Sequence, residues 1–241
     1  MCIRDSFRFE VEVADARTHA RRGRITTARG TVATPAFMPV GTVGSVKGVT
    51  PTELRALGAE IVLANAYHLY LRPGVETIRE LGGLAVGEPK DLFYDVAERT
   101  IERIPSDRPR YLMGTGTPED LLRLVAMGYD LFDCVLPTRN GRNGTLFTSH
   151  GKLNIRNAGF ARDPRPLDPS CSCPVCTRYS RAYLRHLAVS GEMLSAILNS
   201  VHNLGFFLGL LAGARTALEQ GSFPEYASRM LAALSAGVET P

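Results

Sequence analysis

Four residues in the last third of the chain have the types and spacing of a closed zinc site. Cys171, Cys173 and Cys176 form a C-x-C-x₂-C cluster, and His202 follows further along the chain. Structural Zn²⁺ takes four nitrogen or sulfur ligands in a tetrahedron and leaves no position for a substrate. The competing interpretation is three free thiols and an unrelated core histidine, but three clustered cysteines rarely lack a joint purpose. We therefore predict one structural Zn²⁺ per chain.

Two helices must bring the ligands of this zinc site together. The sequence predicts one helix over Thr177–Leu187 and a second from Glu192 to about Leu210, running back antiparallel to the first. This return carries the histidine to the cysteines. Three thiolates around one dication leave a net charge of −1, which Arg178 or Arg181 could offset.

A carboxylate and a basic loop form a second group of residues that could do chemistry. Asp133 follows the apolar pair Leu131-Phe132, where a predicted strand ends, and the loop CVLPTRNGRNG comes next. Active sites collect at the carboxyl ends of parallel strands, although an Asp there is as often a turn or loop cap. The loop combines guanidinium and amide groups with glycines, which suits phosphates and base edges of a single-stranded nucleic acid. The pair predicts nucleophilic attack at a ribose carbon with a covalent glycosyl-enzyme intermediate.

Basic residues are concentrated around this loop. Between Thr138 and Pro166 a single acid, Asp163, opposes six basic residues, namely Arg139, Arg142, Lys152, Arg156, Arg162 and Arg165. Such an excess favours a polyanionic partner, and a solvated basic face is the alternative.

The composition limits the class of protein. A chain of 241 residues with 44% hydrophobic residues can bury a core. No run of 18 or more apolar residues is present, and the N-terminus lacks the pattern of a signal peptide, so we expect a cytoplasmic protein that does not cross a membrane. The first six residues show no pattern that joins them to the rest.

Strand and helix patterns alternate along the chain. We predict strands at Glu60–Ala64 and at Tyr111-Leu112-Met113, and helices at Thr50–Leu57, Val75–Leu81 and Pro118–Ala126, the first with a capping box. A further helix over about Pro89–Ile104 follows Val75–Leu81 with only Leu84-Ala85-Val86 between them. This organisation indicates parallel βα units. Four units are too few for a closed (β/α)8 barrel, which takes about 250 residues, so the sheet is either small and open or an incomplete barrel.

Long stretches of the chain resemble the bacterial tRNA-guanine transglycosylases (queuine tRNA-ribosyltransferases). They include YLMGTGTPEDLL, GYDLFDCVLPTRNGRNGTLFTSHGKLNIRN, CSCPVCTRYSRAYLRHL and NAYHLYLRPG, and the resemblance runs from about Phe9 to the C-terminus. It implies an α/β fold of the (β/α)8 TIM-barrel type with a C-terminal zinc-binding helical subdomain. It also implies a homodimer that exchanges guanine at the wobble position of tRNAs with GUN anticodons for 7-aminomethyl-7-deazaguanine.

The resemblance assigns roles to particular residues. Asp133 matches the nucleophile that attacks ribose C1′, and the cysteine cluster with His202 matches the zinc ligands. Residues that match the lining of the base pocket or lie near it are Gly83, Leu84, Met113 and Glu88. Residues that match RNA-contacting positions are Gly114, Thr115, Gly116, Thr117, Pro118, Glu119, Asp120, Thr138, Arg139, Asn140, Gly141 and Arg142.

The chain departs from this family in one large respect. The D-S-G-G-F-Q motif with the second catalytic aspartate is absent, as are the F-D-E-C and G-I-V-Q-G-G segments that read the incoming base. Two Gly-Gly-Leu-like stretches of the family are fused here at Gly82–Val86, which predicts that central barrel strands are missing.

The chain divides into an unrelated N-terminus (1–8), two barrel parts (9–84 and 85–165) and the zinc-binding helical part (166–241). The alternative to an active enzyme is a catalytically dead, zinc-stabilised tRNA-binding fragment. A third interpretation is an unstable truncated product with uncovered sheet edges.

Overall fold

The structure is a computed structural model that describes residues 7–28, 30–41, 46–63 and 90–237. The helix predicted at Val75–Leu81, the junction at Gly82–Val86 and the predicted pocket residues Gly83, Leu84 and Glu88 lie outside the described residues.

An antiparallel sheet begins the described chain. It consists of β1 (Arg8–Ala14), β2 (Arg21–Thr27) and β3 (Gly30–Thr34), paired in the order β1-β2-β3. Alternate residues of β2 and β3, among them Ile25 and Val32, are buried, as expected for a sheet with one covered face. The local residue pattern predicts no element in this region.

A parallel sheet of three strands includes Asp133. It contains β4 (Ala36–Pro39), β5 (Tyr111–Leu112) and β6 (Leu131–Cys134) in the order β4-β6-β5. Residues 60–63 contribute one parallel bridge, between Val40 and Leu63, so the prediction of a regular strand at Glu60–Ala64 is wrong for the part that the structure describes. Within the described ranges the parallel strands form an open sheet of mixed α/β type and do not close into a barrel.

A buried ion pair joins the two sheets. Arg21 of β2 donates from Nε to Asp130, just before β6, over 3.0 Å, and both side chains are almost fully buried. The backbone N–H of Arg110 donates to the same carboxylate over 2.7 Å. Burial raises the pKa of Asp130, and the hydrogen bonds from Arg21 oppose that rise. The pair fixes the register of β6 relative to the antiparallel sheet.

Local sequence signals set the start or the end of three helices. Helix α1 (Pro51–Ala56) starts with the predicted capping box, in which the Thr50 side chain and Glu53 bond each other's backbone N–H groups. Helix α3 (Pro118–Ala126) has the predicted bounds, with Thr117 as its N-cap. Helix α2 (Lys90–Ile101) ends before the predicted Ile104, because the residue that precedes Pro105 disfavours helical backbone.

The remaining elements form the second half of the molecule. Helix α4 (Leu136–Arg142) precedes a hairpin of β7 (Thr145–Thr148) and β8 (Gly151–Asn154), and a 3₁₀ helix follows at Ala158–Arg162. Helices α5 (Arg181–Val189), α6 (Met193–Glu219) and α7 (Phe223–Ala236) complete the chain. The first of these begins later than the predicted Thr177, because the Ser180 hydroxyl caps it by accepting from Tyr183 N.

Helix α6 runs through the core. By length and composition it could cross a membrane, but 67% of its most apolar stretch is buried inside the protein, as in the core helix of a soluble protein. Its Phe207 ring lies 5.1 Å from the ring of Phe37 in β4 and 5.1 Å from that of Phe147 in β7. The helix therefore connects the parallel sheet to the hairpin, and it extends well beyond the predicted end at Leu210.

Candidate active site and metal centre

The predicted zinc ligands come together around one point. The Nδ1 atom of His202 lies 3.9, 3.5 and 3.3 Å from the Sγ atoms of Cys171, Cys173 and Cys176, and the four ligand atoms all lie within 4.8 Å of one another. A tetrahedral Zn²⁺, with Zn–S of about 2.3 Å and Zn–N of about 2.0–2.1 Å, requires S···N separations of about 3.6 Å. The cluster therefore has the dimensions and donor set of a structural zinc site, and it can hold a metal ion.

A hydrogen bond on the far side of the imidazole supports this assignment. His202 is fully buried, and its Nε2 atom lies 2.8 Å from the carbonyl oxygen of Phe147 in β7. An Nε2–H donor to that carbonyl leaves the Nδ1 lone pair facing the thiols, which is the usual second contact of a metal-binding histidine. Hydrogen bonds from Cys171 and Cys176 lower the pKa of the Cys173 thiol, and the thiolate is the form that binds metal.

Arg181, one of the two arginines expected to offset the negative charge of the zinc site, pairs with a carboxylate instead. Arg181 is buried and donates to Asp163 over 3.3 Å and to the carbonyl oxygen of Leu167 over 2.9 Å. Its guanidinium therefore balances a carboxylate, because Asp163 would otherwise be a buried unpaired charge. Arg178 is exposed on the turn that follows the cysteines.

Asp133 lies in β6, one residue before the strand ends, and is 8% exposed. Its Oδ1 atom accepts from the Tyr111 hydroxyl over 2.7 Å and from the backbone N–H of Gly114 over 3.0 Å. Burial, and then the bond to Asp133, raise the pKa of Tyr111, so the phenol remains a neutral donor. Both donors bind one oxygen, and the second carboxylate oxygen accepts no hydrogen bond from any residue that the structure describes, so it could act as a nucleophile.

The segment after β5 positions this carboxylate and starts α3. Gly114 has a φ of +70°, a conformation that L side chains rarely adopt, and this turn aims its N–H at Asp133. A Cβ at Gly116 would lie 2.5 Å from the Cβ of Cys134, so the segment packs directly on β6. The predicted contact residues Thr115, Gly116, Pro118 and Asp120 are buried, whereas Gly114, Thr117 and Glu119 are half-buried.

The chain after Asp133 is a helix, which corrects the prediction of an open loop over residues 134–144. Helix α4 contains the pair Asn140-Gly141 and ends before a second pair, Asn143-Gly144. Asparagine and glycine disfavour helical structure locally, so packing must supply the difference. A Cβ at Gly141 would lie 2.8 Å from the backbone nitrogen of Ser200, and this close approach allows α4 to lie against α6. A side chain at position 141 would separate the two helices.

The helix sorts the predicted RNA-contacting residues onto two faces. Thr138 and Gly141 are buried against α6, whereas Arg139 and Arg142 are exposed and Asn140 is half-buried. The two arginines are three positions apart and therefore share one side of the helix. Neither forms an ion pair within the described part of the chain.

Helix α6 holds α4 through a residue that the sequence analysis missed. The Nδ2 atom of Asn203 donates to the carbonyl oxygens of Pro137 in α4 over 2.9 Å and of Thr145 in β7 over 3.1 Å, and its Oδ1 accepts from Phe147 N over 3.0 Å. Its position next to His202 was the available signal. The sequence also does not predict the contact of Tyr111 with Asp133, because Tyr111 is recognisable only as part of a predicted strand.

Met113, which the resemblance assigns to the lining of the base pocket, lies at the surface of the protein. Its side chain is 64% exposed, immediately after β5 and beside the Gly114 turn that binds Asp133. Asp120 on α3 accepts from the Tyr94 hydroxyl over 2.6 Å, and Asp95 on α2 pairs with Arg99 over 3.0 Å. Both acids lie in segments that the sequence predicts to be helical.

A carboxylate at the end of a parallel strand, together with a Cys₃His cluster, defines an α/β protein that can hold a metal ion. The sequence model of the family described as queuine tRNA-ribosyltransferase matches residues 15–85 and 78–236. The chain therefore belongs to the queuine tRNA-ribosyltransferase family, whose members are glycosyltransferases (pentosyltransferases) of tRNA processing and queuosine biosynthesis.

Three relatives illustrate the similarity. The queuine tRNA-ribosyltransferase of Nitratidesulfovibrio vulgaris is 35% identical over 357 residues, covering 90% of this chain and 95% of the relative. That of Oleidesulfovibrio alaskensis is 36% identical over 349 residues, covering 87% and 93%. That of an Acidovorax species is 31% identical over 388 residues, covering 96% and 100%.

The comparisons also locate a gap in this chain. The two ranges that match the family share residues 78–85, which is where the sequence predicts two fused family segments. An alignment of 357 residues is longer than the 241-residue chain, so it contains positions of the relative that have no counterpart here. Both findings agree with the loss of a central segment at Gly82–Val86.

Proposed function

We propose that this chain carries the nucleophile and the RNA-binding surface of a tRNA-guanine transglycosylase. The reaction replaces guanine at the wobble position of tRNAs with GUN anticodons by 7-aminomethyl-7-deazaguanine. The observation that carries the proposal is the geometry of Asp133, a carboxylate at the end of a parallel strand with one oxygen held by Tyr111 and Gly114. The family to which the chain belongs supports the choice of reaction.

The proposed step is a double displacement at ribose C1′. The free carboxylate oxygen of Asp133 forms a bond to C1′ while the bond from C1′ to the guanine nitrogen breaks, and the departing base takes the electron pair and a proton from water. The entering 7-deazaguanine then gives a proton to water and forms a bond from its ring nitrogen to C1′, while the bond from C1′ to the carboxylate oxygen breaks. Tyr111 and Gly114 N–H keep the carboxylate oriented for both displacements.

Three further parts complete the proposal. Met113, with Gly83, Leu84 and Glu88, lines or adjoins the base pocket, and the three parallel strands within the described ranges belong to a (β/α)8 barrel. Zn²⁺ held by the cysteine cluster and His202 has a purely structural role. We place the protein in the cytoplasm and expect a homodimer, for which the exposed apolar side chains of Val189, Met193 and Leu194 are candidate contacts.

The exposed arginines of α4 should bind tRNA phosphates or the wobble nucleotide. Replacing both Arg139 and Arg142 with Ala should weaken tRNA binding and make its salt dependence shallower by about one to two units of log K per log salt, because fewer counterions are released. Binding is measured by fluorescence anisotropy over a salt series. An unchanged affinity and slope would mean that this face of α4 is only solvated.

Turnover by this chain should be slow. Base exchange needs a general acid/base for the purine proton, and the D-S-G-G-F-Q aspartate is absent from the sequence. We expect incorporation of labelled guanine into tRNA at a rate roughly 10²–10⁴-fold below that of a family member with the motif. Multiple-turnover exchange at the rate of such an enzyme would contradict this expectation. The absent motif also favours the second candidate function, a zinc-stabilised tRNA-binding protein without turnover.

A further inference from the structure

The four candidate metal ligands differ in their access to solvent. His202 is fully buried, and Cys173 and Cys176 are 7% and 9% exposed, whereas Cys171 is half-buried. All four ligand atoms lie within 4.8 Å of one another. Because oxidation of a cysteine depends on the access of the oxidant to its sulfur, Cys171 is the ligand at which an oxidant should react first.

An open cavity of about 510 Å³ adjoins the cluster on the side of α1. Cys171 and Cys173 lie in its wall, together with Leu57 and several residues of α6. A water molecule takes up about 30 Å³ of the liquid, so the cavity has room for hydrogen peroxide and for larger organic hydroperoxides. Cys176 borders a second cavity, of about 540 Å³, next to Tyr179, but little of Cys176 itself is exposed. Cys171 therefore combines exposure with a path for a small molecule.

Two glycines of α6 border the cavity beside Cys171. A Cβ at Gly205 would lie 3.1 Å from the Cβ of Cys173 and 3.1 Å from Cδ2 of Leu57, so the helix packs closely on the cysteine segment there. Gly209 lies one turn further along the same face, and a Cβ at that position meets no atom of the described residues within 4 Å. A larger side chain at position 209 would lean over the preceding turn, towards the cysteines, and would narrow the cavity.

We propose that Cys171 is a site of reversible oxidation by hydroperoxides, which reach its sulfur through this cavity and cause release of the metal ion. The inference rests on the zinc binding proposed above. It adds a reaction at the metal centre that is separate from base exchange at Asp133. Because His202 also contacts the carbonyl oxygen of Phe147 in β7, loss of the metal would be transmitted to the hairpin.

The oxidation takes place in two steps. The Cys171 thiolate attacks one peroxide oxygen, so that an S–O bond forms and the O–O bond breaks, and the departing oxygen takes a proton from water; the products are a sulfenic acid and an alcohol, or water from hydrogen peroxide. The thiolate of Cys173 or Cys176 then attacks the Cys171 sulfur, so that an S–S bond forms, the S–O bond breaks and hydroxide leaves. Two thiolates have lost two electrons to the peroxide. A structural zinc site needs four donors, so losing two of them releases the ion.

The test exposes the full, zinc-loaded chain to equimolar hydrogen peroxide or cumene hydroperoxide. Cys2, which lies outside the described residues, is replaced with Ser in every sample. Dimedone traps the sulfenic acid, and peptide mass spectrometry locates the label or, without dimedone, the disulfide. A chromogenic chelator follows the release of zinc. Cys134 is the internal reference thiol, because it is 8% exposed and lies outside the cluster.

Dimedone should label Cys171 before any other cysteine, and without dimedone a disulfide that includes Cys171 should form in step with zinc release. Dithiothreitol and added zinc should restore the site. Gly209→Leu should slow both events at least roughly threefold by restricting access, with the initial zinc content unchanged. The matched control, Ala232→Leu, adds the same side chain on the exposed side of α7 and should react like the unmodified chain. Ala212→Leu, elsewhere in the cavity wall, replaces Gly209→Leu if that variant loses zinc.

Three results would overturn the proposal: a first label on Cys134 or Cys176, zinc loss without a disulfide of Cys171, or equal rates for the cavity variant and its control. The same measurements separate this inference from the proposed zinc binding. A chain that carries zinc but whose Cys171 resists peroxide contradicts the inference alone. A chain that is purified without zinc contradicts both.

Discussion

Replacing Asp133 with Asn should abolish the covalent tRNA adduct. Tyr111 and Gly114 both donate to Oδ1, so an amide oxygen in that position can keep both hydrogen bonds and the variant should fold normally. What disappears is the second, nucleophilic carboxylate oxygen. Loss of a nucleophile typically lowers the rate on the order of 10⁴–10⁶-fold, so the adduct should fall below detection.

The measurement traps the adduct after incubation with tRNA and resolves it on a denaturing gel, followed by mass spectrometry of the linked peptide. Asp95→Asn is the matched control, because Asp95 is an exposed acid on α2 whose described partner is Arg99. The control should form the adduct as readily as the unmodified chain. An adduct that persists in Asp133→Asn, or a linked peptide from another segment, would sink the assignment of the nucleophile.

Removing the imidazole ligand should release zinc and unfold the helical part of the molecule. Zinc binding to structural sites is worth about 10–16 kcal/mol, which is as large as the usual stability of a whole domain. His202→Ala should therefore carry no zinc, against one ion per chain for the unmodified protein. The region beyond about Pro169 should lose its protection from hydrogen exchange, and a chelator should have the same effect.

The control for this experiment is His186→Ala. His186 is exposed on α5 and lies outside the cluster of candidate ligands, so its loss should leave the zinc content unchanged. Elemental analysis and hydrogen exchange report on both variants. Full zinc content in His202→Ala would show that the fourth ligand is another group.

Zinc loss should also affect the site at β6, because the two sites share α6. His202 bonds Phe147 through Nε2, and the adjacent Asn203 bonds Pro137, Thr145 and Phe147. The bond to Pro137 holds the first turn of α4, four residues after Asp133, and the other bonds hold β7. An imidazole that leaves its position would release the β7 strand and then the helix that presents Arg139 and Arg142.

Structure that depends on neighbours in sequence was predictable. The capping box at Thr50 and the cap at Thr117 determine where α1 and α3 begin, because each cap joins groups three residues apart. The cysteine cluster belongs to the same class, since three thiols within six residues can bind one ion whatever surrounds them. The sequence also predicts Asp133 at a strand end and the missing family segment at Gly82–Val86.

Structure that depends on distant packing was not predictable. The residues of α4 favour a loop, and they form a helix because Gly141 admits the backbone of Ser200 and Asn203 bonds the carbonyl oxygen of Pro137. The partners of Asp133 lie on a neighbouring strand and turn, so only the parallel pairing of β5 with β6 brings them to its carboxylate.

The residue types and local spacing of this chain thus determined its cluster of candidate metal ligands, the starts of α1 and α3 and the place of Asp133 near a strand end, because these depend on short-range chemistry. Only the tertiary structure decided which basic residues face solvent and which side of α4 is buried. It also decided that Asp163 and Asp168 are withdrawn from the surface. Burial and charge pairing are set by contacts between segments far apart in the chain, and no local pattern of residues encodes them.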